Sequence, residues 1–548
     1  MALPLKKLRF GNIDARYEVI TRDPTTIEHF KESFLEPTGL SIEEFVKGNR
    51  FFVHGMKGAG KTAFLRYLKL TVEENHCLTS FTSFSTDVSD AERNRIYKAN
   101  GIRIFEQKEI EENPSAVEMW ILFIFRMLAN LISENRRVFT SHNNIHIFGE
   151  MTRQFHEGDS KSVLAFLSRV VKHGRYKIKN KNFSAKLKGK DGETEVERSI
   201  DDIVANGFVL LRDLSWEGQN GIYLFFDELN LSFSSRTQHK RDAVLIRDLI
   251  IAIDRINTFF TEQHKPVYLI AAARSEVLKA LNVPTHEINK ILTDRGRELR
   301  WFGLTAGDRW PIVHLLEKKI QASEKVLRQK ITPNVFDTYF QNNIFGMSPQ
   351  SLVVELTWCN PRDLVLLFGQ AAENSEHEPR FGEALLNKVI DKFGEDAWNE
   401  RAEELNVEYA AIEIHSIKRI LLNFERYFRI DRFEREAQTR SRNDPNIKNI
   451  VAKRPAAKIL EDLYRVGIIG QSSKEPKLGS SGFGALKEHW AYRGDENFDA
   501  NAWMIVHRGL WPELRLGRIR SNVEAVSLGS SNNVVARQSD PRIWKPKR

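Results

Sequence analysis

The chain has 548 residues, too many for one small fold and enough for three or four domains at about 150 residues each. With 41% hydrophobic and 28% charged residues it has ample material for a packed core. Its densest apolar run, Met119 to Phe125, is cut by Arg126, well short of the ~20 apolar residues that cross a bilayer. The net charge of +9 favours anionic partners without selecting one. The two cysteines, Cys77 and Cys359, have no metal-like spacing around them, which argues against a disulfide framework or a structural zinc site. The opening MALPLKKLRF has too short an apolar block for a secretory leader, so a reduced, cytoplasmic protein with no membrane partner is expected.

In chain order, a lead-in runs from Phe10 to Pro37. Phe51 to Val53 is a short apolar run that enters a glycine-rich turn, after which Phe64, Leu65, Leu68 and Val72 recur at helical spacing. That order is strand, loop, helix. Lys172 to Lys190 is strongly basic and reads as a surface excursion, either a solvated loop or hairpin inserted in the core or a contact for nucleic acid or a partner. Ile222 to Phe226 and Val267 to Ala273 are further apolar strands without alternation, as parallel strands covered by helices require. A next strand is expected over Glu298 to Leu304. Helical patterns fill Thr332 to about Gly394. The region from about Val407 to Leu514 holds helices and then two aromatic-rich runs, the pattern of a winged helix, with Gly467 and Gly470 closing the helix before the wing. The remainder is a basic tail rich in Ser, Asn, Pro and Arg, expected to be disordered. The fold class is therefore α/β: a parallel sheet with helices on both faces, a small helical domain behind it as a lid, and a C-terminal winged-helix-like domain. The expected divisions are 1–40 (lead-in), 41–330 (core, with a basic insertion at about 172–200), 331–400 (lid), 401–514 (winged-helix-like) and 515–548 (tail).

The motif that carries chemistry is Gly55-Met56-Lys57-Gly58-Ala59-Gly60-Lys61-Thr62, followed by Ala63, which matches G-x-x-x-x-G-K-[ST] between a strand and an amphipathic helix. Its glycines let successive backbone N–H groups turn toward one anion, and the helix adds its positive end. Lys61 is expected on the β- and γ-phosphates of ATP and Thr62 on Mg2+. The partner strand Tyr223-Leu-Phe-Phe ends in Asp227 and Glu228. Asp227 is the second Mg2+ candidate, and Glu228 is placed to polarise an attacking water. His54, His489 and His507 read as packing residues.

These residues resemble the AAA+ and STAND branch of P-loop ATPases, in particular bacterial members with an origin-recognition-like layout. The resemblance implies that Arg274, after the apolar run Tyr268 to Ala273, reaches the γ-phosphate, although standard AAA+ members more often have Asn or Thr there. It implies that Asn360-Pro361-Arg362 is a sensor at the start of a lid helix, with Arg362 facing the γ-phosphate. The same residues also make an ordinary helix start, with Asn360 as the N-cap and Pro361 in the first turn. Arg295, or else Arg297, stands where oligomeric members carry an arginine finger, and the lead-in is similar to one that packs near adenine. The expected function is a Mg-ATP-binding and hydrolysing, homo-oligomerising switch that gates a protein effector, similar to ATPases of bacterial anti-phage and mobile-element defence. The alternative is a DNA-binding ATPase that grips duplex DNA with the winged helix and the basic loop. Against the alternative, the expected recognition helix carries Glu461 and Asp462.

Overall fold

A computed structural model describes residues 2–20, 23–37, 39–83, 117–135, 142–153, 176–178, 196–198, 200–216, 220–229, 236–275, 278, 286–303, 310–406, 408–473, 488–495 and 497–516. Of the basic stretch only 176–178 falls within these residues, and the tail beyond 516 lies outside them. The chain forms two units. The first comprises Met1–Thr38, Gly58–Gly60 and Arg300–Arg548, and the second comprises Gly39–Lys57 and Lys61–Leu299.

The lead-in of the first unit carries α1 (Arg16–Ile20) and α2 (Pro24–Ser33). Asp23 caps α2 by accepting from Thr25 N at 3.1 Å, and Pro24 takes the first helical position, where a missing N–H costs nothing.

The second unit begins with α3 (Ile42–Val46), β1 (Phe52–Gly55), α4 (Lys61–Glu74) and β2 (Leu78–Ser83). The four residues that suggested a helical stripe, Phe64, Leu65, Leu68 and Val72, form the buried face of α4. Next come α5 (Val117–Glu134) and α6 (His142–Arg153). Buried residues run all round the first two turns of α5, which makes it a core helix. The Trp120 indole donates to Leu245 O at 3.1 Å. A two-stranded antiparallel ribbon follows, β3 (Tyr176–Ile178) with β4 (Val196–Arg198). After it come α7 (Ile200–Arg212), β5 (Ile222–Leu229), α8 (Arg236–Glu262), β6 (Val267–Arg274), α9 (His286–Arg295) and β7 (Gly296–Glu298).

The main sheet has the order β2-β5-β6-β1-β7 and every pairing is parallel. Helices flank it: α4 packs on β1, β5 and β6, and α8 on β6. Asn257 on α8 braces β6, donating from Nδ2 to Leu269 O and accepting from Leu269 N, both at 2.9 Å. The chain leaves β1 for the far edge at β2 and leaves β6 for the opposite edge at β7. The neighbours β1 and β6 therefore form a topological switch point, where open α/β sheets bind ligands at the strands' carboxyl ends.

The last strand departs from expectation. It covers Gly296 to Glu298 rather than starting at Glu298. Its ladder ends when Leu299 N donates to His54 O at 2.7 Å, and Gly303 then turns with φ of +98°. Leu304 lies outside the described residues.

The first unit resumes with α10 (Pro311–Val326), α11 (Val335–Tyr339), α12 (Pro349–Leu356), α13 (Pro361–Glu373), α14 (Glu383–Leu405) and α15 (Ala411–Leu421). The lead-in belongs here: α2 packs on α10, and Leu3 N donates to the Tyr339 hydroxyl at 3.0 Å. The C-terminal module then runs β8 (Tyr427–Phe428), α16 (Ile430–Ser441), α17 (Pro445–Lys453), α18 (Ala456–Arg465), β9 (Ile469–Ser472), β10 (Glu488–His489) and β11 (Trp503–Val506). Its strands make an antiparallel sheet in the order β10-β9-β11-β8. Strand β8 arises inside a stretch whose sequence reads as helix, because Asn423 adopts φ of +56° and ends α15. Gly467, with φ of +75°, closes α18 as expected, whereas Gly470 lies within β9. A Cβ on Gly470 would come 2.6 Å from the Trp490 ring, so its role is close packing rather than capping.

Candidate nucleotide site

The carboxyl edge of the main sheet assembles most of the expected residues. Ser83 pairs with Asp227, Gly55 pairs with Arg274, and β5 lies against β6. Across the sheet the edge therefore presents Ser83, then Asp227 and Glu228, then Arg274, then the entrance to the glycine loop.

The loop connects β1 to α4. Gly58 and Gly60 have φ of +80° and +91°, a region that glycine enters without steric cost. Gly58 is also needed for space, since a Cβ there would fall 2.6 Å from Asn360 Oδ1 within the first unit. The Ala59 carbonyl accepts from the Trp301 indole at 2.8 Å. Lys61 Nζ donates to Gly55 O at 2.8 Å and to Met56 O at 2.7 Å, folding the side chain back over the loop. Met56 is half-buried and Lys57 buried, while Ala63 is a half-buried residue of the first turn of α4.

Asp227 is 2% exposed. The Thr62 hydroxyl hydrogen-bonds its carboxylate, and Glu228 N donates to Oδ1 at 2.8 Å, but Oδ2 is buried with no hydrogen-bond partner. Burial raises the Asp227 pKa, and Thr62, the Glu228 amide and the Lys61 charge only partly offset it. A buried carboxylate oxygen beside a hydroxyl, both hard ligands, matches a small divalent cation. Thr62 and Asp227 thus fit the Mg2+ expected of them. Among the described residues no cluster of three or more His, Cys, Asp or Glu offers another metal site.

Glu228 departs from strand geometry. Its φ is +57°, and the register between β5 and β6 shifts between Phe226 and Leu229. This bulge re-aims the side chain from the alternating pattern of the strand. Glu228 Oε2 accepts from Ser83 Oγ at 2.5 Å. Ser83, at the end of β2, is the residue that sequence reasoning missed. A serine closing a strand is unremarkable in sequence, and only the β2–β5 register brings it to Glu228.

Arg295 and Arg297 lie at the other edge of the sheet. Phe51 N donates to Arg295 O at 2.8 Å, and the Arg295 guanidinium is 5.5 Å from the Phe51 ring centroid. Arg297 makes a bidentate pair with Glu44 at 3.1 and 2.9 Å.

Arg362 belongs to the first unit, in the first turn of α13. Asn360 caps that helix, accepting from Arg362 N at 3.0 Å, with Pro361 at its start. The Arg362 guanidinium pairs with Glu400 on α14. The next residue, Asp363, pairs with Arg401 at 3.1 and 2.5 Å, both side chains buried. The cap follows two consecutive left-handed residues, Trp358 and Cys359, with φ of +49° and +48°. Such backbone persists only where the surroundings over-determine it. Here the Trp358 indole donates to Gly467 O at 2.8 Å and stacks on His507 with centroids 3.4 Å apart. Arg401 lies 4.0 Å from the Trp358 ring centroid on its other contact. His489 pairs with Asp495 at 2.5 Å. The backbone carbonyl of His54 joins the β1–β7 ladder, as a strand-end role requires.

The sequence matches no protein-family model and no curated protein.

Proposed function

We propose that the chain binds and hydrolyses Mg-ATP as an AAA+/STAND-like switch. The observation that carries this reading is Asp227 Oδ2, buried and unpartnered beside Thr62, on the strand edge that also bears Glu228 and the glycine loop. A Mg2+ ion would neutralise that carboxylate and the phosphate charge. The N–H groups of the loop and the start of α4 bind the phosphates, and Lys61 swings from the Gly55 and Met56 carbonyls to the β- and γ-oxygens. Glu228, oriented by Ser83, accepts a proton from the attacking water at its carboxylate. Arg274 and Arg362 are assigned to the γ-phosphate, and Arg295 to the nucleotide of a neighbouring copy in a homo-oligomer. We read the C-terminal helices and antiparallel sheet as a winged helix used for packing and for gating a protein effector.

The DNA reading is less favoured because α18 neutralises its own cations. Lys458 pairs with Glu461 and Asp462 at 3.0 and 3.1 Å, and Arg465 lies 3.6 Å from Asp462. Among the described residues no helix is long and apolar enough to cross a membrane.

Phosphate release from ATP, with and without duplex DNA, tests the proposal beside Lys61→Ala and Glu228→Gln. Lys61→Ala is expected to lose binding and Glu228→Gln to bind without turnover. Full turnover by both variants would overturn the reading, and DNA stimulation lost with the C-terminal module would favour the alternative.

A further inference from the structure

Two helices of the C-terminal module treat their charges in opposite ways. Helix α18 pairs its cations with its own acids, whereas α17 and the turn before it do not. From Arg442 to Lys453 the chain carries three cations and a single acid, Asp444. Asp444 is 5% exposed and committed to structure. Its Oδ1 caps α17, accepting from Asn446 N at 3.0 Å and Ile447 N at 3.4 Å, and its Oδ2 lies 2.6 Å from Arg419 Nη1. The exposed residues of this segment are therefore free of acids.

The backbone fixes where those residues stand. Helices α16 and α17 pack on each other and are joined by a turn of three residues, Arg442 to Asp444. Ile447 and Ile450 form the buried side of α17, which also packs on α15. Asn446, Asn449 and Lys453 follow one another at i, i+3 and i+7 on the exposed side, with Lys448 beside them. At 1.5 Å per residue that stripe is about 10 Å long, which fits the major groove of B-DNA at about 12 Å across. Arg442 and Asn443 are exposed in the turn at the amino end of the helix. Among the described residues, no hydrogen bond or ion pair engages the side chains of Arg442, Asn443, Asn446, Lys448 or Asn449. Lys453 is held only loosely, 3.6 Å from Glu413 and 57% exposed.

We infer that α17 is a reading helix for duplex DNA, laid in the major groove with Arg442 and Lys448 on the flanking phosphates. Side-chain amides pair with adenine in that groove and a lysine head reaches guanine, while unpaired cations displace the counterions of the phosphates. In helix pairs of this kind it is the amino end of the second helix that meets base edges. A protein partner fits this face less well. Its exposed apolar residues are Pro445 and Ala452, whereas protein interfaces are built round aromatic residues and Met. The inference goes beyond the nucleotide reading and stands without it. It also moves the DNA contact away from α18, whose cations are already paired.

The test is fluorescence anisotropy of the full chain, without nucleotide, on a short labelled duplex over about 50–200 mM salt. The double variant Arg442→Ala with Lys448→Ala is expected to bind about tenfold or more weakly at low salt, and to lower the slope of log affinity against log salt by about 2. Arg442→Lys with Lys448→Arg is expected to keep the slope, and Lys458→Ala on α18 to stay within about twofold of the wild type. Asn446→Ala and Asn449→Ala are expected to keep the slope as well, but each to flatten by about fivefold or more the base preference selected from a random duplex library. All these side chains are exposed, so unchanged melting temperatures should accompany the losses. Wild-type affinity and slope in the Arg442–Lys448 double alanine variant would overturn the inference, because cations elsewhere in the chain would then account for the binding. Tighter binding to single-stranded RNA than to the duplex, or no binding of the duplex at about 50 mM salt, would overturn it equally.

Discussion

Replacing Arg401 with methionine isolates its buried ion pair with Asp363. The change keeps an unbranched stem of similar reach to arginine's aliphatic part and removes the guanidinium, leaving the Asp363 carboxylate 3% exposed with its bidentate partner gone. Breaking a buried pair by deleting one member costs about 3–5 kcal/mol, because the surviving charge is neither solvated nor paired. In a unit of this size each kcal/mol moves the melting temperature by roughly 2–4 °C, so a drop of about 6–20 °C is expected for the first unit. The double variant Asp363→Leu with Arg401→Met removes both charges and fills the space with apolar atoms, and it should recover most of that loss. Thermal unfolding followed by tryptophan fluorescence and circular dichroism reads both. A single-variant shift below about 3 °C would show that water or another cation reaches Asp363. A double variant as unstable as the single would show that the loss comes from packing around Trp358, 4.0 Å from the guanidinium, rather than from an orphaned charge.

Three further outcomes are expected. Gly58→Ala should melt lower than Gly60→Ala. Both take the ~1–2 kcal/mol cost of a left-handed residue, but only Gly58 pushes a Cβ onto Asn360 and endangers a cap worth about 0.5–2 kcal/mol. Equal melting temperatures would remove Asn360 from the account. Ser83→Ala should lower ATP turnover by about tenfold or more with nucleotide affinity unchanged, as expected when a hydrogen bond to a carboxylate of about 1.5–3 kcal/mol is lost. Unchanged turnover would deny Ser83 its orienting role. His29 gives a pH dependence: burial, with the charge of Lys319, lowers its pKa to about 4. Above the unfolded value of 6.5 neither state is protonated and nothing changes. As pH falls from 6.5 to about 4 the unfolded chain takes up a proton that folded His29 refuses, so stability is lost across that window, by about 2 kcal/mol at pH 5. Urea midpoints at pH 7 and pH 5 should differ in the wild type and much less in His29→Gln; equal differences would refute the assignment.

The candidate site was legible in sequence where its signal is local. The spacing from Gly55 to Thr62 encodes a turn and a helix start within eight residues, and the apolar run ending at Asp227 marks a strand end by itself. What escaped depends on register. Ser83 meets Glu228 only because Ser83 pairs with Asp227 and the chain bulges one residue later. In place of the strand expected over Glu298 to Leu304, β7 pairs through Gly296 to Glu298. The Trp301 indole instead bonds Ala59 O, a partner more than 240 positions earlier. Gly470, expected to close the helix with Gly467, is instead a packing glycine, which only its place against the Trp490 ring reveals. Asn360 caps α13 as the helix-start reading requires, and its side chain also lies against Gly58, a neighbour that no local spacing announces.

The ribbon formed by β3 and β4 has a practical corollary. Tyr176 pairs with Arg198 and Ile178 with Val196, so the polypeptide departs and returns at neighbouring points. Since closing a loop costs only slowly more as it lengthens, whatever is spliced between those two positions adds little strain to the scaffold. The ribbon is thus a natural port: a fluorescent reporter or an affinity handle spliced in between Ile178 and Val196 would add little closure cost, because the two strands already hold its ends side by side.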